Sequence, residues 1–122
     1  MSQRTLQPCP DSPNCVSTFA PAHDSRHHIA PYRYSRTTSD MKTLLKTLIA
    51  GLPRTKLVGE DDTYLHYEFT SWLLRFVDDV EFLFDDETKT IHFRSASRTG
   101  YGDLGVNRRR MEDIRTRMEG KL

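Results

Sequence analysis

Residues 91–110 read IHFRSASRTGYGDLGVNRRR, and this stretch decides how the rest of the chain is interpreted. Ile91 and Phe93 alternate with polar residues, which predicts a strand because successive strand side chains point to opposite faces of a sheet. Three glycines follow and indicate a loop. A basic segment with helical spacing then begins near Val106. The stretch therefore predicts a strand, a glycine-rich loop and a helix in succession.

Three more strands are predicted before this one. Alternating apolar and polar residues occupy about 54–59, 63–70 and the residues leading up to Phe84. An acidic turn at residues 85–88 joins the third strand to the fourth. The four segments are close together in sequence, so the sequence predicts an antiparallel meander.

The hairpin of the third and fourth strands has a register that suits both of its faces. A turn centred on residues 86–87 places apolar pairs on the buried side and opposite charges on the solvent side. Each charged pair is worth roughly 0.2–1 kcal/mol. The predicted pairs are Phe82 with Ile91, Val80 with Phe93, Glu81 with His92 and Asp79 with Arg94.

Two amphipathic helices flank the meander. The first is capped by Thr38 or Ser39 and ended by Gly51. The second begins near Val106, with Asn107 as its cap. Apolar residues recur along one face of each helix, at Met41, Leu44, Leu45, Leu48, Ile49 and Leu52 in the first and at Val106, Met111, Ile114 and Met118 in the second.

These elements predict an α+β fold in two layers, a four-stranded antiparallel meander covered on one face by two helices. Residues 38–122 form this α-β-β-β-β-α core. Residues 1–37 contain five of the six prolines and are predicted to be a long irregular segment packed on the core. At 122 residues, the chain is expected to be a single domain.

Composition limits the classes of function. The net charge of +1 argues against a nucleic-acid-binding protein, since any basic feature must be local. No run approaches the ~20 apolar residues that a membrane span needs. Residues 1–8 lack the apolar segment of a signal peptide. The sequence as given therefore predicts a soluble, cytoplasmic protein.

Groups suited to an anion are concentrated after the fourth strand. Alternation places Ser95 and Ser97 on the core side of that strand, and Arg94 and Arg98 on the other side. The glycine-rich loop exposes N–H groups, and a helix N-terminus attracts negative charge. The ligand is predicted to be a small anion or the acidic surface of a partner protein. The predicted site comprises Arg94, Ser97, Arg98, Gly100, Tyr101, Asn107 and Arg108.

A purely structural role is the alternative for the same residues. Arg94 then pairs with Asp79, Asp103 braces the loop, and the arginines at 108–110 form a solvated face. The glycine spacing matches neither a Walker loop nor a dinucleotide-binding fingerprint, so no nucleotide is predicted. No metal site and no cofactor are predicted.

The second group of reactive residues lies near the amino terminus. Cys9 and Cys15 suit a small disulfide loop or free loop thiols, although a reducing cytosol argues against a permanent disulfide. With His23, His27 or His28 they also suit a tetrahedral metal site or a thiol nucleophile and base. This combination defines the enzymatic alternative.

One further cluster is predicted on the solvent face of the sheet. His66, Glu68, Glu81 and His92 share that face and have the residue types of a metal site. Half-exposed histidines beside glutamates are ordinary on sheet surfaces. The cluster is therefore interpreted as a solvated face.

Residues 9–18 (CPDSPNCVST) and 93–108 (FRSASRTGYGDLGVNR) resemble the signature stretches of the domain-of-unknown-function 1499 family of bacterial and plant proteins. The resemblance covers essentially the whole chain. It implies that the two stretches lie side by side, with Asp11 and Asn14 bonding to Arg94 or Arg98. The result is either a ligand pocket or a structural clasp built from Cys9, Asp11, Asn14 and Cys15. Many members carry a signal or membrane segment, so a periplasmic location is the alternative to a cytoplasmic one.

Overall fold

The computed structural model describes residues 5–72, 75–100 and 102–122. Five strands form the sheet in the order β1-β6-β5-β4-β3, and a sixth, β2, also pairs with β6; every strand pairing is antiparallel. The elements are β1 (Cys15–Ser17), β2 (Tyr32–Arg33), α1 (Thr38–Ala50), β3 (Thr55–Asp61), β4 (Tyr64–Thr70), β5 (Val77–Asp85), β6 (Thr90–Ser97) and α2 (Val106–Met118).

The predicted α+β fold is confirmed. Strands β3 to β6 form the antiparallel meander, and apolar residues of both helices join one cluster with the inner face of the sheet. Burial alternates along β5, with Val80, Phe82 and Phe84 buried between partly exposed residues. Alternation in the sequence thus decides which face of the sheet carries the core.

The segment 1–37, predicted to be irregular, contributes two short strands. β1 pairs with the end of β6, with Cys15 opposite Ala96, and β2 pairs with the beginning of β6, with Tyr32 opposite Ile91. Strands of three and two residues are too short to show a period of two, and prolines surround them. They complete the edge of β6 that the meander leaves unpaired.

The predicted register of the β5–β6 hairpin is wrong by two residues. Asp85 pairs with Thr90, because its Oδ1 accepts from the N–H groups of Glu87 and Thr88 and because Lys89 adopts a positive φ of 53°. The turn is therefore longer than predicted. A shift by an even number leaves every side chain on its predicted face. The observed pairs include Phe82 with Phe93, Glu81 with Arg94, Val80 with Ser95 and Asp79 with Ala96.

Both helices begin differently from the prediction. Thr37, rather than Thr38 or Ser39, caps α1, and its hydroxyl accepts from the N–H of Asp40 at 3.1 Å. α2 follows Gly105, whose φ of 78° suits a residue without a side chain. Asn107 does not cap α2; it is fully buried in the first turn.

Tyr32 anchors the amino-terminal segment to α2. Its ring is buried and lies 4.5 Å from the ring of Phe93, centroid to centroid. Its hydroxyl donates to the carbonyl of Met111 at 2.6 Å. None of the helices in the described residues is long and apolar enough to cross a membrane.

Replacing Phe82 with alanine should reduce the free energy of unfolding by about 3–5 kcal/mol, because the ring is fully buried between Tyr67 and Phe93. Urea unfolding measures the change. Phe76, which is 47% exposed, is the control, and its alanine variant should stay within about 0.5 kcal/mol of the original protein. Similar losses in both variants would contradict this assignment of the core.

Candidate functional site

A buried polar network lies between the end of β6 and the first turn of α2. Its centre is the Asn107 amide, which is fully buried. The carbonyl oxygen of this amide accepts from Ser95 Oγ at 2.6 Å and from Arg110 Nη1 at 2.8 Å. The nitrogen lies within hydrogen-bond distance of three acceptors: Asp103 Oδ2 at 2.8 Å, Ser97 Oγ at 3.0 Å and the Asn14 carbonyl at 3.2 Å. Asn107 therefore connects four segments of the chain.

Arg110 is the member of the arginine run that points inward. Its Nη2 lies 2.6 Å from Asp78 Oδ2 in a largely buried ion pair, and its Nη1 donates to Ser95. The guanidinium also lies over the ring of Phe69, 5.0 Å from the centroid. The expectation of a uniformly solvated arginine face is therefore wrong at this position.

Asp103 braces the loop before α2. Its Oδ1 accepts from the N–H of Gly105, and its Oδ2 accepts from both the backbone and the side chain of Asn107. Burial raises the pKa of Asp103, but these hydrogen bonds outweigh burial and hold the pKa below its usual range. The carboxylate thus takes the place of the cap that Gly105 cannot supply.

The two signature stretches meet in the structure. Cys9 and Cys15 form a disulfide with Cα atoms 5.7 Å apart. The Asn14 side chain donates to the carbonyl of Gly100 at 2.9 Å, and β1 pairs with β6 directly beyond it. The amino-terminal loop and the loop before α2 are therefore bonded to each other.

The expected partners of Asp11 and Asn14 are wrong. Asn14 bonds to the 99–100 loop and to Asn107, whereas the carbonyl of Asp11 accepts from Arg26 Nη1 at 2.7 Å. The contact of Arg94 with this segment is a long one, 3.4 Å to the carbonyl of Pro8.

The thiols and histidines do not assemble as the enzymatic alternative requires. Both sulfurs lie in the disulfide. His27 contacts Asp24 through Nδ1 and the Ser12 carbonyl through Nε2, and His28 contacts the Ala20 carbonyl. In the described part of the chain, no three His, Cys, Asp or Glu side chains are arranged to hold a metal ion.

Arg98 and Arg94 lie on the outer face of the sheet among carboxylates. Arg98 bonds to Asp79 and to Glu68, both within 3 Å. Arg94 Nη1 lies 4.0 Å from Glu81, so its predicted pairing with Asp79 is wrong. The hydrogen bond from Arg98, opposed by burial and assisted by His66, keeps the pKa of Asp79 below its usual range.

The residues of the predicted anion site do not lie together in the structure. Arg94 and Arg98 are on the outer face, whereas Ser97 and Asn107 belong to the buried network. The carbonyl of Gly100 is bonded to Asn14, and Arg108 lies against residues 25–26. Tyr101 lies outside the described residues.

A depression of 350 Å³ lies beside the start of α2, and we call it the arginine depression. Arg108 Nη2 donates to the carbonyls of Ser25 and Arg26, and Arg26 donates to the carbonyl of Asp11. Among residues 5–72, 75–100 and 102–122, neither guanidinium has a carboxylate within ion-pair distance. The lining residues are Pro13, Val16, Arg26, Gly102, Asp103, Leu104, Gly105 and Arg108.

Arg26 was not among the predicted site residues. It lies in a segment with no helical or strand period, so nothing in the sequence relates it to Arg108, 82 residues later. The only available signal was its position within a loop that was predicted to pack on the domain.

The family described as "Protein of unknown function (DUF1499)" matches residues 5–118. The chain therefore belongs to this family, as the two signature stretches predicted. Searches of curated proteins and of solved structures found no match.

Replacing Asn107 with alanine should reduce the free energy of unfolding by about 2–4 kcal/mol, because it leaves buried polar groups of β6 and α2 without partners. Chemical denaturation measures this loss. The control is Thr116→Ala, because Thr116 lies on the exposed side of the same helix. This variant should change the free energy of unfolding by less than about 0.5 kcal/mol. A loss in Asn107→Ala no greater than in the control would mean that the network contributes nothing.

Arg98→Gln should lower stability most near neutral pH. The folded pKa of Asp79 lies below its unfolded value of about 3.9, so its stabilisation is present above that value and is lost as pH falls through the folded pKa. The difference between the two proteins should therefore shrink below about pH 4. Urea unfolding across pH tests this, with Arg36→Gln as the control because Arg36 bonds to a backbone carbonyl. A difference independent of pH would contradict the assigned pairing.

Proposed function

We propose that this member of the DUF1499 family is a non-catalytic binding module that recognises an oxyanion, such as phosphate, sulfate or a carboxylate, at the arginine depression. One observation carries the proposal. The guanidinium groups of Arg26 and Arg108 line the same depression, and backbone carbonyls rather than carboxylates hold them.

Carbonyl groups orient a guanidinium without cancelling its charge. Arg108 is fixed by two carbonyls and Arg26 by one, so the side chains are held before a ligand arrives. A guanidinium retains unused N–H groups in a planar fork that fits two oxygens of an anion. Preorganisation of this kind reduces the entropy cost of binding.

Backbone amides contribute less to this site than helix N-termini usually do. The N–H groups of Gly105 and Asn107 already donate to the Asp103 carboxylate, and that of Val106 donates to the Asp103 carbonyl. The negative charge of Asp103 also lies in the lining. An anion therefore depends on the two arginines for its binding energy.

The structural alternative has its own support. Asn14, Asn107 and the Cys9–Cys15 disulfide hold the two signature stretches together without any ligand. The enzymatic alternative gains no support from the described residues, because both sulfurs lie in the disulfide and both ring nitrogens of His27 are bonded.

The test is isothermal titration with phosphate, sulfate and citrate. Arg26→Gln and Arg108→Gln should each weaken binding by about tenfold or more, because each removes a charged hydrogen bond. Arg98→Gln is the matched control and should bind normally, because two carboxylates already occupy Arg98.

Two results would contradict the proposal. Loss of binding in Arg98→Gln alone would move the site to the outer face of the sheet. If no anion binds, the structural alternative would replace the proposed binding function. A polyglutamate peptide in the same titration distinguishes an acidic protein surface from a free anion, since only the former requires several linked carboxylates.

A further inference from the structure

We propose that a second ligand site lies between residues 76–78 and the start of α2, and that it takes a small amine with an apolar body. This inference does not depend on the proposed function. The site is a cavity of 310 Å³, here called the Phe76 cleft, which shares residues 102–104 with the arginine depression. Its walls include Phe76, Leu104 and Val106, and Asp78 lies in its lining.

Exposed apolar side chains gather at this cleft. Isolated ones are ordinary on protein surfaces, but a group around one cavity marks a contact site. Phe76, Leu104 and Val106 come from two separate loops and a helix, and they are 47%, 91% and 39% exposed. They account for three of the six large apolar side chains that are exposed in the described residues. A ligand with an apolar body would cover them.

Leu104 also adopts an unfavourable backbone conformation. Its φ is 55°, in the left-handed region, which costs roughly 1–2 kcal/mol for a residue with a side chain. The side chain is almost entirely exposed to solvent. Burial of Leu104 against a ligand would offset this cost.

The lining of the cleft contains a carboxylate with one oxygen unused. Asp78 is 6% exposed, and its Oδ2 accepts from Arg110 at 2.6 Å. In the described residues, no donor lies within hydrogen-bond distance of its Oδ1. A carboxylate oxygen without a partner in the lining of a cleft can accept a hydrogen bond, so the polar end of the ligand should carry N–H groups.

The charged side chains that line the cleft are carboxylates, which suit a cationic ligand. The lining contains the carboxylates of Asp78 and Asp103, and the guanidinium of Arg110 pairs with the first. The hydrogen bonds to Asp103 come from neutral amides, which leave its charge in place. Asp103 also lines the arginine depression beside Arg26 and Arg108, so Asp78 is the carboxylate that an ammonium group in the cleft would contact.

The size of the cavity favours a small molecule over a peptide. Ligand sites of proteins span about 300–1,000 Å³, and the Phe76 cleft is at the lower limit. A single aromatic or branched aliphatic amine fills such a volume. Phenethylamine is therefore a suitable probe.

The test is a titration followed by ¹⁵N NMR with three probes. Phenethylamine carries both the apolar body and the ammonium group, 3-phenylpropionate replaces the ammonium with a carboxylate, and ethylamine lacks the aromatic body. Phenethylamine should give saturable shifts at Phe76 and Val106, and the other two probes should bind at least about tenfold more weakly. Equal binding of 3-phenylpropionate would overturn the proposal, as would the absence of saturable binding.

Surface variants locate the site without disturbing the core. Phe76→Ala removes an apolar wall, and Val106→Lys places a competing ammonium at the cleft. Each should weaken phenethylamine binding about tenfold or more. Phe19→Ala and Val58→Lys change residues of similar exposure away from the cleft and should bind normally. Normal binding in both cleft variants would overturn the proposal.

Asp78→Asn tests the carboxylate directly. It should abolish the preference for phenethylamine over 3-phenylpropionate, with folding verified by circular dichroism. If the variant does not fold, Val106→Lys provides the charge test alone. Excess phosphate should not displace phenethylamine, so failure at this site is distinguishable from failure at the arginine depression.

Discussion

The buried amide of Asn107 is the constraint on which the carboxy-terminal half of the structure depends. Taking an amide out of water is unfavourable unless its donors and acceptor are bonded. Here the partners come from β6, the loop before α2, the disulfide loop and α2 itself. A rotation or translation of α2 by one residue would break several of these bonds at once. The amide thus fixes how α2 packs more strictly than its apolar stripe does, because two of the three buried residues of that stripe are methionines, Met111 and Met118, whose flexible side chains adapt to small shifts.

The features of the fold that were predictable from the sequence are those that depend on local patterns. Faces follow from local alternation, so the core residues Val80, Phe82, Ile91 and Phe93 of β5 and β6 were identified from the sequence. Register depends on the conformation of a few turn residues. Asp85 lengthens the β5–β6 turn through hydrogen bonds of its side chain, and Lys89 does so through its positive φ. Neither effect produces a periodic pattern in the sequence. The short strands β1 and β2 exist because β6 offers an unpaired edge, which is a property of the assembled sheet.

The candidate site was likewise predicted only in part from the sequence. The sequence identified the correct stretch, residues 93–108, but it could not assign a direction to each side chain. Three consecutive arginines at 108–110 point about 100° apart around a helix, so they meet three different environments. Arg110 enters the core beside Asp78, Arg109 bonds to the carbonyl of Leu104, and Arg108 reaches residues 25–26. Arg26 lies at the site only because the folded chain brings residue 26 next to Arg108. The segment around Arg26 has no periodic sequence pattern that could predict this contact.

The hydrogen bonding among the residues that carry the family resemblance has two effects on ligand binding. Asn14, Ser97, Asp103 and Asn107 are engaged with one another, which leaves them little capacity to bind a ligand. Their bonding nevertheless places residues 102–105 between two depressions that share Asp103, one of which is also lined by arginines and the other by Asp78 and apolar side chains. Groups at the edges of the network remain available because its centre is satisfied. Binding capacity in this fold is thus expected at Arg26 and Asp78, outside the two signature stretches, and at Arg108, the last residue of the second stretch.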